Sequence, residues 1–379
     1  MIYFDAGATT LEKPLAVSRA AGQAVRTMAS PGRGGYPATR RAEETAFACR
    51  SEAAELFGCA SPEQVVFTSN ATHGLNIAIH SLIRPGCRVV LSGYEHNAVT
   101  RPLHAIKNVE LTVIDTTLFQ PRQAVEEFAR ALEGRVDAVV CTHVSNVFGY
   151  VLPIEEIAQL CRDKNVPLIV DASQSAGVLP VRLDRLGAEF IAMPGHKGLY
   201  GPQGTGLLLC GKEHPEPFIY GGTGSVSRQQ TMPEDLPDRL EAGTHNMPGI
   251  AGLLEGLRFV RRTGTDRIAR HERAIIAAAA RGLRQMPQVH LYQDPTMERQ
   301  AGVLSFTVDG WDCEEIGSRL AAAGIAVRAG LHCAPLAHKT AGTLESGTVR
   351  ISASAFNTLQ QAEEFVRVLR RVIRENARF

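Results

Sequence analysis

A lysine in a glycine-rich turn just after an apolar strand, in GHKGLYGPQGTG at 195–206, is placed to hold an aldehyde covalently. Lysine suits that task because burial or neighbouring positive charge readily lowers its pKa, and the neutral amine is the reactive form. Lys197 is therefore a candidate anchor and a candidate base. Upstream, LIVDASQSAG at 168–177 is an apolar strand that delivers Asp171 to its carboxyl end, where ligands of open α/β sheets collect. A carboxylate there can keep a pyridine ring protonated, so that the ring draws electrons from a bound carbanion. Downstream, RAGLHCAPLAH at 328–338 sets Cys333 among Arg328, His332 and His338, which should favour the thiolate. Lysine, aspartate and thiol together point to pyridoxal 5′-phosphate and to sulfur chemistry.

Three further segments offer binding groups. NATHGLN at 70–76 turns from strand into helix, and the free N–H groups of Ala71 and Thr72 there suit a phosphate, although a threonine at that place can also be a plain cap. Arg350, in GTVRISASAFNT, has the planar fork that grips a carboxylate by two parallel hydrogen bonds; an ordinary salt bridge is the alternative. Arg328 could orient the cysteine loop or pair with an acidic neighbour. His96, in GYEHNAV, follows the strand RVVLS.

The elements that must position these groups follow from periodicity. QVVFTS, RVVLS, VELTVID, DAVVCTH, PLIVD, EFIAM and TGLLLC read as strands, separated by amphipathic helices such as 121–133 and 154–164. That alternation predicts βαβ units around a mainly parallel seven-stranded sheet. A Gly/Pro/Ser-rich stretch at 213–249 interrupts it and reads as surface loops. From Gly302 a second α/β pattern begins: GVLSFTV, a helix near 312–323, TVRIS, and a final helix capped by Asn357 or Thr358. A large domain over 12–255 and a small one over 256–379, joined by residues 1–11, is the expected division.

Composition narrows the function further. With 379 residues and 40 Lys plus Arg against 39 Asp plus Glu, no charge excess recommends nucleic acid or an acidic membrane as a partner. No basic n-region with an apolar core opens the chain and no long apolar run spans a membrane, so a cytoplasmic protein is expected. Eight cysteines without CxxC pairs argue against zinc and against a disulfide framework.

With these segments in view, the chain resembles fold-type I pyridoxal-phosphate enzymes of the class V aminotransferase family, and within it cysteine desulfurases and selenocysteine lyases. The resemblance rests on GHKGLYGPQGTG, VDASQSAG, SNVFG at 145–149, EAGTHN at 241–246 and the Cys333 block, in that family's order. It implies that Lys197 carries the cofactor and moves protons at the substrate's α-carbon, and that Asp171 faces the pyridine nitrogen. It further implies that Gln174 and Asn146 meet the ring oxygen and that His96 stacks on the ring. His196 joins Ala71 and Thr72 at the phosphate, where Pro194 stands in place of a serine. Thr244 reaches the phosphate of a neighbouring subunit, hence a homodimer. Arg350, with Arg328 and Asn146, binds substrate. Cys333, on a compact loop like that of group II desulfurases, takes sulfur from L-cysteine as a persulfide and passes it to an acceptor protein. FDAGATT departs from the family's DNAATT, and Leu331 stands where many group II members have histidine. Selenocysteine lyase is the nearest alternative and a class V aminotransferase, with no use for Cys333, the next; a non-catalytic sulfur-assembly scaffold would not need Lys197.

Overall fold

The computed structural model describes residues 1–32, 34–211 and 215–376. All seven strands expected from periodicity lie in one sheet. Their spatial order is Val65–Thr68, Gly206–Cys210, Phe190–Pro194, Leu168–Asp171, Ala138–Thr142, Arg88–Ser92 and Glu110–Ile114. Gly206–Cys210 alone runs against the others. The four strands from Gly206–Cys210 to Ala138–Thr142 are buried at every residue, as a sheet covered by helices on both faces requires. Glu110–Ile114 closes one edge and is largely exposed, with Glu110 paired to Arg88 at 2.7 Å; charge on an edge strand discourages further pairing.

A second sheet, wholly antiparallel, orders Arg328–Gly330, Thr348–Ser352, Val303–Val308 and Val289–Tyr292. Its core gathers Leu304, Phe306 and Ile351 with Phe365 and Leu369 of the final helix Leu359–Asn376, and it takes in Phe4 from the amino terminus. Each of those apolar side chains is worth roughly 1.5–3 kcal/mol of burial. The final helix starts with a reciprocal cap: Thr358 Oγ1 accepts from the Gln361 N–H at 3.2 Å and Gln361 Oε1 accepts from the Thr358 N–H at 3.1 Å. The chain's first strand, Ile2–Tyr3, pairs with Ile325–Ala326, and Asp5 bridges to Ser352. The amino terminus thus arrives beside Arg328 and Arg350.

Among the described residues from Pro215 to Asn246 there is no helix or strand, in keeping with the Gly/Pro/Ser-rich sequence. No described helix is long and apolar enough to cross a membrane.

Candidate active site

A cavity of about 300 Å³ opens where the parallel strands end, the place at which open α/β sheets bind ligands. Lys197 and Asp171 line it together. Lys197 sits on a turn held by the Gly201 N–H to Gly195 carbonyl bond at 2.7 Å and the Tyr200 N–H to Lys197 carbonyl bond at 2.9 Å. The turn is glycine-rich because a Cβ would not fit: at Gly195 it would lie 2.2 Å from Thr205 Oγ1, and at Gly198 2.4 Å from the Ala176 carbonyl. Burial lowers the Lys197 pKa to about 8; Arg350 and Arg328 push it further down while Asp171 opposes them. Near pH 8 about half of the amine is therefore neutral and nucleophilic.

Asp171 ends its strand, is buried, and accepts the Ser173 N–H at 2.8 Å through Oδ1. Its Oδ2 has no hydrogen-bond partner among the described residues, so an acceptor is left for a ring N–H. His96 caps the helix Asn97–Ala105, its Nδ1 accepting the Ala98 N–H at 2.9 Å. That bond leaves Nε2 to carry the proton of the neutral ring, and burial favours neutrality by lowering the pKa. Gln174 and Asn146 also line the cavity. Gln174 Nε2 donates to the Gly7 carbonyl at 2.9 Å and Asn146 Nδ2 to the His332 carbonyl at 2.9 Å, so these amides brace the cavity wall as well as facing it.

At the other end of the cavity, Asn70 caps the helix Ala71–Leu82 by accepting the His73 N–H at 2.9 Å. The first-turn N–H groups of Ala71 and Thr72 have no acceptor within the helix and meet the cavity. His196 lies opposite with a buried Nδ1 lacking a partner, its pKa lowered to about 4 by burial and then by Lys197 and Lys13. Pro194 lines this end and has no hydroxyl to offer.

Arg350 and Arg328 form the third wall, and both bind Asp5. Arg350 Nη2 lies 2.8 Å from Asp5 Oδ1 and its Nη1 donates to the Asn146 carbonyl at 2.9 Å, while Nε is buried with no partner. Arg328 reaches Asp5 Oδ2 at 3.0 Å. Neither arginine is free of internal partners: the ordinary ion pair is what Arg350 makes with Asp5, and its Nε is left without a partner.

Cys333 is exposed and faces the same cavity. Its loop is short and tied on each side. The Asn97 N–H binds the Cys333 carbonyl at 2.8 Å, Asn146 holds the His332 carbonyl, and the Ala334 N–H closes on Leu331 at 2.8 Å. His332 and Cys333 both take left-handed backbone angles, φ 49° and 55°, uncommon for residues with a Cβ. The expectation that His332 and His338 supply cationic support to the thiolate is corrected here. The two rings stack at 5.7 Å in the interior, with His332 bonded to Thr348 and His338 to Thr343. Burial drives their pKa values down to about 2 and about 4, so both rings are neutral at physiological pH. Arg328 is the cation left near Cys333.

Thr244 does not join this cavity within one chain. It is exposed and lines a second hollow with Ser69, His73 and His245. The loop carrying it is anchored by Glu241, which is buried between Arg50 at 2.5 Å and His245 at 2.5 Å.

This donor set fits a pyridoxal phosphate: an amine with a lowered pKa, an open carboxylate acceptor, and free N–H groups with an unpartnered imidazole nitrogen for a phosphate. A family model described as aminotransferase class-V matches residues 2–365. The chain belongs to the class-V aminotransferase family. A probable cysteine desulfurase of Mycolicibacterium paratuberculosis is 32% identical over 98% of the chain, which spans 55% of that protein. Another, of Methanothermobacter thermautotrophicus, is 33% identical, with 96% of this chain and 92% of that protein covered. The chain therefore spans little more than half of the former relative and nearly all of the latter. Among solved structures, the apo cysteine desulfurase of Thermococcus onnurineus superposes with a TM-score of 0.89 at 30% identity, covering 99% of this chain and 95% of that one. The α/β architecture is that of fold-type I pyridoxal-phosphate enzymes.

Two residues of this class-V chain went unread in the sequence. Asp5 sits in FDAGATT, which stood out only as a departure from the family pattern; a lone acid near a chain end carries no local signal of two distant arginines. Glu95, beside His96, is fully buried, with Oε1 accepting from Ser92 Oγ at 2.5 Å and the Thr142 N–H at 2.6 Å. Burial pushes its pKa up to about 8, so it stands as a neutral acid beneath the strand ends.

Proposed function

We propose that this protein is a pyridoxal 5′-phosphate-dependent cysteine desulfurase that converts L-cysteine to L-alanine and stores the sulfur as a persulfide on Cys333. The observation that carries this reading is the convergence of Lys197, Asp171 and Cys333 on one cavity. An aminotransferase would need the first two and would have no use for the third.

Lys197 would hold the cofactor and Asp171 its ring nitrogen, with Gln174, Asn146 and His96 around the ring and Ala71, Thr72 and His196 at the phosphate. Bound there, the cofactor supplies an electron sink beside the α-carbon of an amino acid, which makes the substrate's sulfur open to attack. Arg350, with Arg328 and Asn146 beside it, orients the α-carboxylate. Lys197, about half neutral near pH 8, gives and takes the α-proton. Cys333 attacks the sulfur: an S–S bond forms as the C–S bond breaks, the thiol proton leaves, and the carbon gains a hydrogen to complete alanine. No outside oxidant is required, because the sulfur is oxidised as the carbon is reduced.

The cysteine loop is compact and tied down, so an acceptor protein would have to come to the exposed Cys333. Thr244 would complete the phosphate site of a second subunit in a homodimer. Its exposure supports this, as do the exposed Phe218, Ile219 and Tyr220 in the same loop region. Eight free cysteines suit the reducing cytoplasm.

The test is mass spectrometry of the protein after incubation with L-cysteine, without any keto acid. One extra sulfur on the Cys333 peptide, with one alanine released, is the expected result. Alanine formed only when a keto acid is supplied would identify an aminotransferase instead, and turnover of selenocysteine that survives Cys333→Ala while cysteine turnover is lost would identify a scaffold that serves both amino acids.

A further inference from the structure

Asp5 stands behind the cavity and belongs to no group with a role in the reaction above. It is 9% exposed and joins the Thr348–Ser352 strand through its bridge to Ser352. Oδ1 accepts from Arg350 at 2.8 Å, and Oδ2 from Arg328 Nε and Nη2 at 3.1 and 3.0 Å. Arg350 is 2% exposed, so its charge has almost no water to screen it. Two guanidinium groups gathered at one cavity wall repel each other; the buried Arg350 needs an anion because the dielectric around it is low, while Arg328, its side chain 49% exposed, is partly screened by water. One carboxylate shared between two arginines leaves one positive charge uncompensated. The other two charged side chains lining the cavity, Asp171 and Lys197, are of opposite sign, and a bound phosphate would lie at the end formed by Ala71, Thr72 and His196, so the count at this wall is set by the two arginines and Asp5.

We infer that Asp5 sets the charge capacity of the substrate site, cancelling one of the two arginines so that the wall accepts one carboxylate and discriminates against dicarboxylic amino acids. The inference depends on the function proposed above only in taking an amino acid as the substrate. Asp5 acts through Arg328 and Arg350 and is a positioning residue. Its removal would leave a net charge of two on that wall and turn the preference toward dianions.

The test uses the full chain loaded with pyridoxal 5′-phosphate and two unreactive acids, propionate and malonate, whose affinities are measured by calorimetry at low salt. In Asp5→Asn the ratio of malonate to propionate affinity rises about tenfold, the effect of one unit charge several ångströms away in a partly solvated site. High salt shrinks the rise. The double variant Asp5→Asn with Arg328→Gln restores the charge count and returns the ratio to within about twofold of the parent, whereas a role in packing alone would not be restored. An unchanged ratio in Asp5→Asn, a double variant that fails to restore it, or a parent protein that binds neither acid overturns the inference. If Asp5→Asn does not fold, Arg328→Gln alone reads the same quantity: the ratio falls about tenfold, and no fall overturns the inference. Because the readout is binding of inert acids, a missing persulfide on Cys333 would sink the desulfurase reading and leave this measurement standing.

Discussion

The floor and the rim of the cavity are built by different means. Floor residues, Asp171, Lys197, His96 and the first turn at Ala71, sit at the ends of buried strands or at helix starts, each within a few residues of a regular element. Rim residues, Arg328, Cys333 and Arg350, come from the antiparallel sheet and a turn with two left-handed residues, and are held by Asp5 and Asn146 from far along the chain. A floor on strand ends gives a fixed geometry for an anchored group. A rim built on ion pairs and a strained turn can be tuned by charge, and its thiol stays open to a visitor.

Breaking the floor should have the largest effect. Lys197→Ala should lower alanine release by about 10⁴-fold, as expected for loss of a positioned acid–base group, and borohydride should no longer fix a pyridoxyl label to the chain. Breaking the rim at its nucleophile, Cys333→Ser should abolish the persulfide and cut cysteine turnover by more than about 10²-fold, since the positioned thiol is gone, while the bound cofactor's absorption spectrum stays that of the parent. A change of spectrum in that variant would show that floor and rim are not separable. Asp171→Asn should lower turnover by about 10²-fold by removing a charge aimed at the ring, again without loss of the fold by circular dichroism.

Smaller effects follow from protonation. Lys197 has its pKa lowered to about 8, so the rate of cofactor uptake by the apoprotein should climb about tenfold per pH unit below 8 and level off above it. Asp5→Asn should move that break lower, because Arg350 and Arg328 then act on Lys197 with less compensation. Glu272 sharpens the contrast with Asp5. It is buried, has no hydrogen-bond partner among the described residues, and is pushed up to about 8 by burial alone. Its folded pKa lies above its unfolded one, so stability is highest below about pH 4.5 on this account and declines as pH rises toward 8, where the folded state also ionises. Glu272→Gln should flatten that decline and add about 2 kcal/mol near pH 8 in denaturant titrations.

Much of the fold was legible because its signals are local. All seven strands of the main sheet announced themselves as short apolar runs, and the final helix by its apolar face and its cap at Thr358. Lys197 and Asp171 were legible for the same reason, as each follows an apolar strand and precedes a turn with recognisable residues. Local composition misled at His332 and His338. Next to a cysteine they read as cations, but whether an imidazole is charged depends on its burial, and that is decided by the Thr348 strand and Phe148 packed around them.

By itself the sequence determined the α/β order of elements and singled out Lys197, Asp171 and Cys333 as candidates, because hydrophobic period and turn chemistry act over a few residues. Only the tertiary structure decided that Asp5 joins Arg350 across 345 positions of chain, that two histidines beside the thiol are neutral, and that Thr244 faces a separate hollow. Those outcomes depend on which surfaces meet and how much water is left between them, and charge and proton affinity follow from that packing.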